Sequence, residues 1–142
     1  MRELLPYLEK SDYLLDVHNT LREVNSIPFL INEYPKLDDY FDVKYAVSGF
    51  DNLHPGGSDG YMNSIGKVGL CLEAGSIYDN QDVVIQNAKE GVLNFLRFTG
   101  NIAGAPILYR DKTRIHFDTI YKNLSSSFRF VKPLGDFEVV RK

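Results

Sequence analysis

Two largely apolar runs in this sequence each lead to a residue that can take part in chemistry. The first run, Tyr13 to Val17, ends at His18, and the second, Gly69 to Gly75, carries a single carboxylate at Glu73. Apolar residues on consecutive positions are typical of strands covered on both faces of a sheet. Because α/β proteins place functional groups at strand ends, His18 and Glu73 are candidates for chemistry.

A long helix is predicted after the second of these strands. It begins at Asp79 or Asn80, with an acid in the first turn, and it ends at Thr99 before Gly100. Its apolar stripe is predicted from residues spaced three or four positions apart, which are Ile85, Ala88, Val92 and Leu96.

The remaining segments predict shorter elements. Residues 2–10 favour a short helix, residues 25–42 a loop with one helical turn at Leu37 to Tyr40, and Val43 to Val47 a strand. Asn52 to Gly66 is rich in glycine and predicts an irregular loop, which either walls a pocket or simply connects two elements.

The last third of the chain alternates apolar and polar residues and carries many β-formers. This pattern predicts short antiparallel strands at Ile107 to Arg110, Arg114 to Tyr121, Ser127 to Val131 and Glu138 to Val140. The sequence therefore predicts two parts, an α/β part over residues 1–104 and a small β-rich appendage over residues 105–142.

Composition and charge exclude several classes of function. With 142 residues, 44% of them hydrophobic and 25% charged, the chain is expected to form a globular unit. A net charge of −3 with interspersed signs indicates neither nucleic acid nor an anionic membrane surface as a partner. The single cysteine excludes an internal disulfide and favours a reducing, cytoplasmic location. We expect a small-molecule substrate as the partner, and self-association is left open.

The candidate residues each have a second, structural interpretation. Asp16 and His18 lie two positions apart on a strand and point to the same face, which suits a carboxylate that orients a metal-binding imidazole. A lone histidine at a strand end is more often structural, and Glu73 could equally cap a following loop. Cys71 lies two positions before Glu73 and invites a Cys-His nucleophile, but a buried strand thiol is usually a small hydrophobe.

Three motifs in order resemble the succinylglutamate desuccinylase/aspartoacylase family of zinc amidohydrolases. They are the Asp-x-His-Asn-Thr run Asp16 to Thr20, the Gly-x-x-x-Glu-x-Gly run Gly69 to Gly75, and the helical stretch Asn80 to Thr99 before a glycine. The resemblance covers roughly residues 10–135, including the basic and aromatic segment Phe128 to Pro133. It implies an α/β fold: part of a zinc-carboxypeptidase-like mixed sheet flanked by helices, followed by a small β segment.

The resemblance also implies an activity and roles for three residues. The reaction is zinc-dependent hydrolysis of an amide bond in an N-acylated amino acid or a similar small molecule. His18 is implied to bind the zinc, and Glu73 to act as the general base that takes a proton from water. Asp16 is implied to orient His18 or its neighbours.

Four further residues are candidates for binding the substrate. Asn19 and Thr20 could hydrogen-bond the substrate or cap a turn, and Asn63 and Ser64 belong to a run that looks equivalent to an arginine-Ser-Ile segment in better-known members. An arginine binds a carboxylate through two hydrogen bonds and an asparagine cannot. The resemblance therefore does not extend to N-acetylaspartate or succinylglutamate as the substrate.

One zinc-binding motif of the family has no counterpart in this sequence. Members carry an earlier His-x-x-Glu spacing, whereas His18, His54 and His116 are followed at the third position by Leu21, Gly57 and Thr119. We therefore expect the chain to correspond to the C-terminal portion of a member, with a substoichiometric zinc content on its own. The alternative is a non-catalytic domain or degenerate paralogue that keeps the fold and binds no metal.

Overall fold

The secondary structure is taken from a computed structural model that describes residues 3–21, 26–122, 124–130 and 134–139. Its strands are β1 (Tyr13–Thr20), β2 (Phe29–Asn32), β3 (Tyr45–Ser48), β4 (Val68–Ser76) and β5 (Thr113–His116). Its helices are α1 (Leu5–Leu8), α2 (Phe50–Leu53), α3 (Ser58–Ser64) and α4 (Gln81–Phe98), and a 3₁₀ turn covers Pro35–Tyr40. Within these described ranges, no helix combines the length and the apolar character that crossing a membrane requires.

The strands form a mixed sheet in the order β1-β4-β2-β3-β5. Strand β1 runs parallel to β4, and β3 runs parallel to both β2 and β5. The β2–β4 pair is antiparallel. The α/β fold with a mixed sheet flanked by helices, expected from the sequence, is confirmed.

One face of the sheet packs against α4 and the 3₁₀ turn. The buried core on this face consists of Leu30, Phe41, Val43, Leu70, Leu72 and Phe95. Gly91 brings α4 so close to the sheet that a Cβ at this position would overlap the Leu72 side chain. Because side chains alternate along a strand, Leu70 and Leu72 on this face leave Cys71 and Glu73 to point to the opposite face.

The opposite face is covered near the start of β4 by α3. Gly69 permits this approach, since a Cβ at Gly69 would overlap the backbone of Asp59. The contact places the first residue of α3, Ser58, against Asp16 on β1. Helix α3 therefore approaches the face that carries the candidate site.

The long helix is confirmed, but its buried stripe is not the predicted one. Asn80 is the N-cap, and its side chain accepts a hydrogen bond from the backbone N–H of Asp82. Ile85, expected in the core, is 62% exposed. The buried residues of α4 are Val84, Gly91, Asn94 and Phe95. Asn94 is buried because its amide binds the backbone of Tyr40 and Ile107, a polar contact that a hydrophobic pattern cannot indicate.

Two segments expected to be loops contain regular structure. The range 25–42 includes β2 as well as the expected helical turn. β2 is only four residues long and is stabilised by its pairing with β4, which local sequence does not reveal. The range Asn52 to Gly66 carries α3 and the second half of α2, so the expectation of an irregular loop was wrong. The close packing of α3 against β4 depends on Gly69, which lies outside this range.

The antiparallel strands expected after residue 104 were also wrong. Within the described residues this part forms one strand, β5, which runs parallel to β3 and extends the main sheet. Residues 107–110, 127–130 and 138–139 are not strands, and Val131 and Val140 lie outside the described residues, as does the end of the Phe128 to Pro133 segment. The division of the chain at residue 104 stays a prediction.

Candidate active site

His18 and Glu73 lie opposite each other on two neighbouring parallel strands. In the β1–β4 register, His18 pairs with Glu73 and Asp16 pairs with Cys71. Paired residues of adjacent strands point to the same face, and the Nδ1 atom of His18 is 3.9 Å from Oε1 of Glu73. The structure therefore brings together the imidazole and the carboxylate that the sequence placed about fifty-five positions apart.

Asp16 lies on the other side of the imidazole. Its Oδ1 atom is 3.0 Å from Nε2 of His18, so the two residues share a face as predicted. A carboxylate at Nε2 favours the neutral tautomer with its proton on that nitrogen. This tautomer leaves the lone pair of Nδ1 facing Glu73. Asp16 is itself held by Ser58, whose hydroxyl donates to Oδ2.

Glu73 is largely withdrawn from solvent. Its side chain is 20% exposed, and within the described part of the chain its Oε2 atom is buried without a hydrogen-bond partner. Burial raises the pKa of this carboxyl group above its ordinary value, and the nearby Asp16 adds to the rise, while His18 opposes it. A desolvated carboxylate with an unpaired oxygen is suited to accept a proton.

Cys71 joins these two residues. One ligand atom each from His18, Cys71 and Glu73 lies within 4.8 Å of the others. Imidazole, thiol and carboxylate groups are the donors that zinc prefers, and a catalytic zinc has three protein ligands. His18 and Cys71 therefore have the chemistry of zinc ligands and supply two of the three, and Glu73 lies within reach of the same position.

Cys71 was missed as a donor by sequence reasoning. Its position two residues before Glu73, matching that of Asp16 before His18, was the available signal. Burial, together with the neighbouring Glu73, raises the pKa of the thiol far above its ordinary value. Without a metal the group is a neutral thiol and a poor nucleophile, which agrees with rejecting a Cys-His pair.

Asn19 and Thr20 lie within β1 and not in a turn that they could cap. The pairing of β1 with β4 shifts register between His18 and Thr20. Thr20 lines the same cavity as Glu73, whereas Asn19 and His18 line a second cavity, about 360 Å³ in volume, against α4. Their roles in substrate binding stay predictions.

The structure does not bring Asn63 and Ser64 to the site. Asn63 donates to Asp51 and accepts from the backbone N–H of Gly69, both at 2.8 Å, and so ties α3 to the start of β4. Gly69 is four positions before Glu73, which is roughly 13 Å along a strand. Ser64 binds the carbonyl of Tyr61. Both residues line a separate cavity, about 540 Å³ in volume, so the predicted pocket wall belongs there.

The other two histidines have structural contacts. The His54 ring stacks on Phe50, with ring centroids 5.7 Å apart. His116 Nδ1 is 3.1 Å from the hydroxyl of Ser48 on the neighbouring strand. Neither residue belongs to the cluster formed by His18, Cys71 and Glu73.

Comparison with known proteins identifies two solved structures with a similar fold. Neither a family model nor a curated protein matches the chain. A crystal structure from Shewanella frigidimarina NCIMB 400, assigned as a succinylglutamate desuccinylase/aspartoacylase, matches with a TM-score of 0.55 and 21% identity, over 80% of this chain and 35% of the other. A protein assigned to the same family from Shewanella amazonensis SB2B matches with a TM-score of 0.51 and 22% identity, over 72% and 33%.

The chain spans about a third of the length of these two structures. At this level of identity the similarity concerns the fold. Within this chain the histidine strand, the glutamate strand and the long helix follow one another in the predicted order. The chain thus has the α/β fold of part of two proteins assigned to the succinylglutamate desuccinylase/aspartoacylase family.

Proposed function

We propose that this chain belongs to a zinc-dependent amidohydrolase of the succinylglutamate desuccinylase/aspartoacylase type, which cleaves the amide bond of an N-acylated amino acid. The observation that carries the proposal is the pairing of His18 with Glu73 across two parallel strands, 3.9 Å apart, on a face where Glu73 is largely buried. The fold shared with two proteins assigned to this family supports it.

His18 and Cys71 are the residues that would hold the zinc from this chain. Asp16 contacts Nε2 of His18, which leaves Nδ1 on the side of Glu73 and available to bind the metal. Cys71 is 4% exposed, so a thiolate here needs a cation to compensate for its burial. When bound in such a site, zinc lowers the pKa of a water molecule to about 7 and polarises a carbonyl group.

Glu73 is the proposed general base. It accepts a proton from the attacking water as the water oxygen bonds to the amide carbon. It then delivers that proton to the nitrogen as the carbon–nitrogen bond breaks, so that the products are a carboxylic acid and an amine. The buried oxygen of Glu73, without a partner among the described residues, makes this carboxylate available for the transfer.

The test compares two charge-neutralising variants of the natural protein that contains this sequence, purified with zinc. Glu73→Gln is expected to lower kcat for N-acyl amino acid hydrolysis by about 10²–10⁴-fold while zinc content stays unchanged. Glu90→Gln on α4 is the matched control, because Gln86 donates to Glu90 Oε1 and a glutamine keeps that acceptor. Full activity in Glu73→Gln would contradict the proposal.

A second candidate is a non-catalytic domain that binds no metal. It is favoured by one observation, that none of the three histidines is followed by a glutamate three positions later. This candidate predicts no zinc in the natural protein and no amide hydrolysis that depends on Glu73. Metal analysis of the purified protein therefore separates the two.

A further inference from the structure

Glu73 is the residue of the candidate site that lines a cavity of about 620 Å³. Thr20 at the end of β1, Phe29 on β2 and Ile115 on β5 contribute to it, and residues 134–139 close it. Its volume is typical of small-molecule sites, which measure about 300–1,000 Å³. If Glu73 is the general base, a substrate cleaved beside it places one of its groups in this cavity.

The side chains that form the walls are mainly apolar. They are Phe29, Ile115, Phe117, Leu134, Phe137 and Val139. Aromatic and branched aliphatic side chains provide dispersion contacts and release water when an apolar group is bound. They offer no hydrogen bond to a charged group.

The charged side chains of the cavity are all acidic. Glu73, Asp136 and Glu138 line it, and none of the described lining residues is a lysine, arginine or histidine. Asp136 accepts from the backbone N–H of Ile27, and Glu138 from that of Gly135. A substrate carboxylate bound here would lose its hydration, and none of these lining side chains offers it a cationic partner, which is unfavourable.

One wall of the cavity is held by an aromatic stack. Phe137 has a φ of +55°, a conformation that side chains other than glycine rarely adopt. Its ring stacks on Tyr45 at 4.1 Å between centroids and meets Phe29 edge-on at 5.4 Å. Backbone strain of this kind persists where the surroundings fix it, and it is concentrated at functional sites. The contacts of Phe137 therefore hold this wall of the cavity in a defined position.

We propose that this cavity binds an uncharged, apolar group of the substrate, aromatic or branched aliphatic, and discriminates against a carboxylate. This inference rests on the proposed function, since it assigns a substrate class to the same site. The apolar group can belong to the acyl chain or to the side chain of the amino acid. Both are included in the experiment.

Two pairs of ligands with matched shapes test the inference. N-acetyl-leucine and N-acetyl-aspartate have side chains of the same shape. Where the leucine side chain branches into two methyl groups, the aspartate side chain carries two carboxylate oxygens. N-(4-methylpentanoyl)-glycine and N-succinyl-glycine make the same exchange in the acyl chain. Binding to the chain is measured by calorimetry or by ligand-observed NMR, which need no hydrolysis. We expect the apolar member of at least one pair to bind about tenfold tighter or more.

A pair of Val→Arg variants locates the preference. Val139 lines the cavity and is 79% exposed, so Val139→Arg adds a cation there without disturbing the core. It is expected to narrow the preference for the apolar ligand by about two- to fivefold. Val83 on α4 is 54% exposed and does not line the cavity. Val83→Arg adds the same charge there and should leave the preference unchanged.

The outcomes separate this inference from the proposed function. Equal or tighter binding of the acidic member of both pairs, no binding of any of the four ligands, or a preference that Val139→Arg leaves unchanged would overturn the inference. Hydrolysis of the succinyl ligand by the natural protein with zinc would keep the proposed function while overturning the substrate class. Tighter binding of the apolar ligands without hydrolysis of any ligand would keep the inference about the cavity and contradict the proposed function.

Discussion

His18 is held by Asp16 on its own strand, with Nε2 of the imidazole 3.0 Å from Oδ1 of the carboxylate. Two positions along a strand bring side chains to the same face, so the orientation of His18 depends on β1 itself. Ser58 adds a contact from α3 by donating to the second oxygen of Asp16. The histidine and the residues that position it thus come from two elements packed on one another.

Replacing Asp16 by asparagine is expected to weaken zinc binding about 10- to 100-fold, because an amide can present either its oxygen or its NH₂ group to Nε2 and so no longer fixes the tautomer of His18. The measurement is a zinc titration against a chromophoric chelator. Asp111→Asn serves as the control, since Asp111 is exposed and paired with Lys44 on the surface. Equal zinc affinity in Asp16→Asn and the unchanged chain would mean that Asp16 does not orient a ligand.

The strand pattern was enough to predict that Asp16 and His18 share a face, and the family resemblance pointed to Glu73. These inferences depend only on alternation along a strand and on which strands are buried. Ser58 and Cys71 could not be assigned in the same way. Ser58 meets Asp16 only because Gly69 lets α3 approach β4 closely, a contact between segments that periodicity does not encode.

The buried face of α4 could not be predicted from hydrophobic spacing either. A hydrophobic pattern placed Ile85 in the core, although the packed face of α4 is determined by Gly91 against Leu72 and by the hydrogen bonds of Asn94. Asn63 was misplaced for a related reason. Its distance from Glu73 follows from the α3–β4 connection, which was expected to be an irregular loop.

Asp59 is expected to destabilise the folded chain at neutral pH. Burial raises the pKa of its carboxyl group above 3.8, and the nearby Asp51 and Asp16 add to the rise, while the backbone N–H of Gly60 opposes it. A carboxyl group whose pKa is raised on folding costs stability once the pH exceeds its unfolded pKa. Asp59→Asn should therefore raise the melting temperature at pH 7, with a gain that disappears below about pH 4.

The matching substitution at Asp111 is expected to change the melting temperature in the opposite direction. Its hydrogen bond and ion pair with Lys44 lower the pKa of its carboxyl group, so it contributes stability that is lost as the pH falls through its folded pKa. Asp111→Asn should slightly lower the melting temperature at neutral pH and change nothing in strong acid. Thermal melts of Asp59→Asn and Asp111→Asn between neutral and acidic pH measure both effects. A higher melting temperature in both variants at neutral pH would contradict the burial argument for Asp59.

Gly91→Ala is expected to destabilise the chain by about 1–3 kcal/mol. Alanine normally favours a helix over glycine by roughly 1 kcal/mol, but here its Cβ would overlap Leu72 in the core. Urea denaturation measures the change. Gly135→Ala is the control because a Cβ there meets nothing within 4 Å, and it should leave the midpoint nearly unchanged. A more stable Gly91→Ala would show that α4 can move away from the sheet at little cost.

Phe137→Ala is expected to release the segment 134–139 from the sheet. The variant loses the ring contacts with Tyr45 and Phe29 and keeps a strained left-handed residue, which alanine tolerates poorly. Hydrogen exchange of residues 134–139 should become faster while that of β4 stays the same. Phe128→Ala removes an exposed aromatic pair with Phe130 and should leave this segment unaffected. Unchanged protection in Phe137→Ala would show that other contacts hold the wall.

Cys71 tests the metal site directly. Catalytic zinc takes three protein ligands, and His18 with Cys71 supplies two, so the 142-residue chain alone should hold less than one equivalent of zinc. Its cobalt(II) form should show a sulfur-to-cobalt absorption band that Cys71→Ser removes, whereas Glu73→Gln keeps it. A cobalt complex without that band would exclude Cys71 as a ligand. Tight stoichiometric zinc lost in Glu73→Gln would make Glu73 a third ligand and contradict its role as the base.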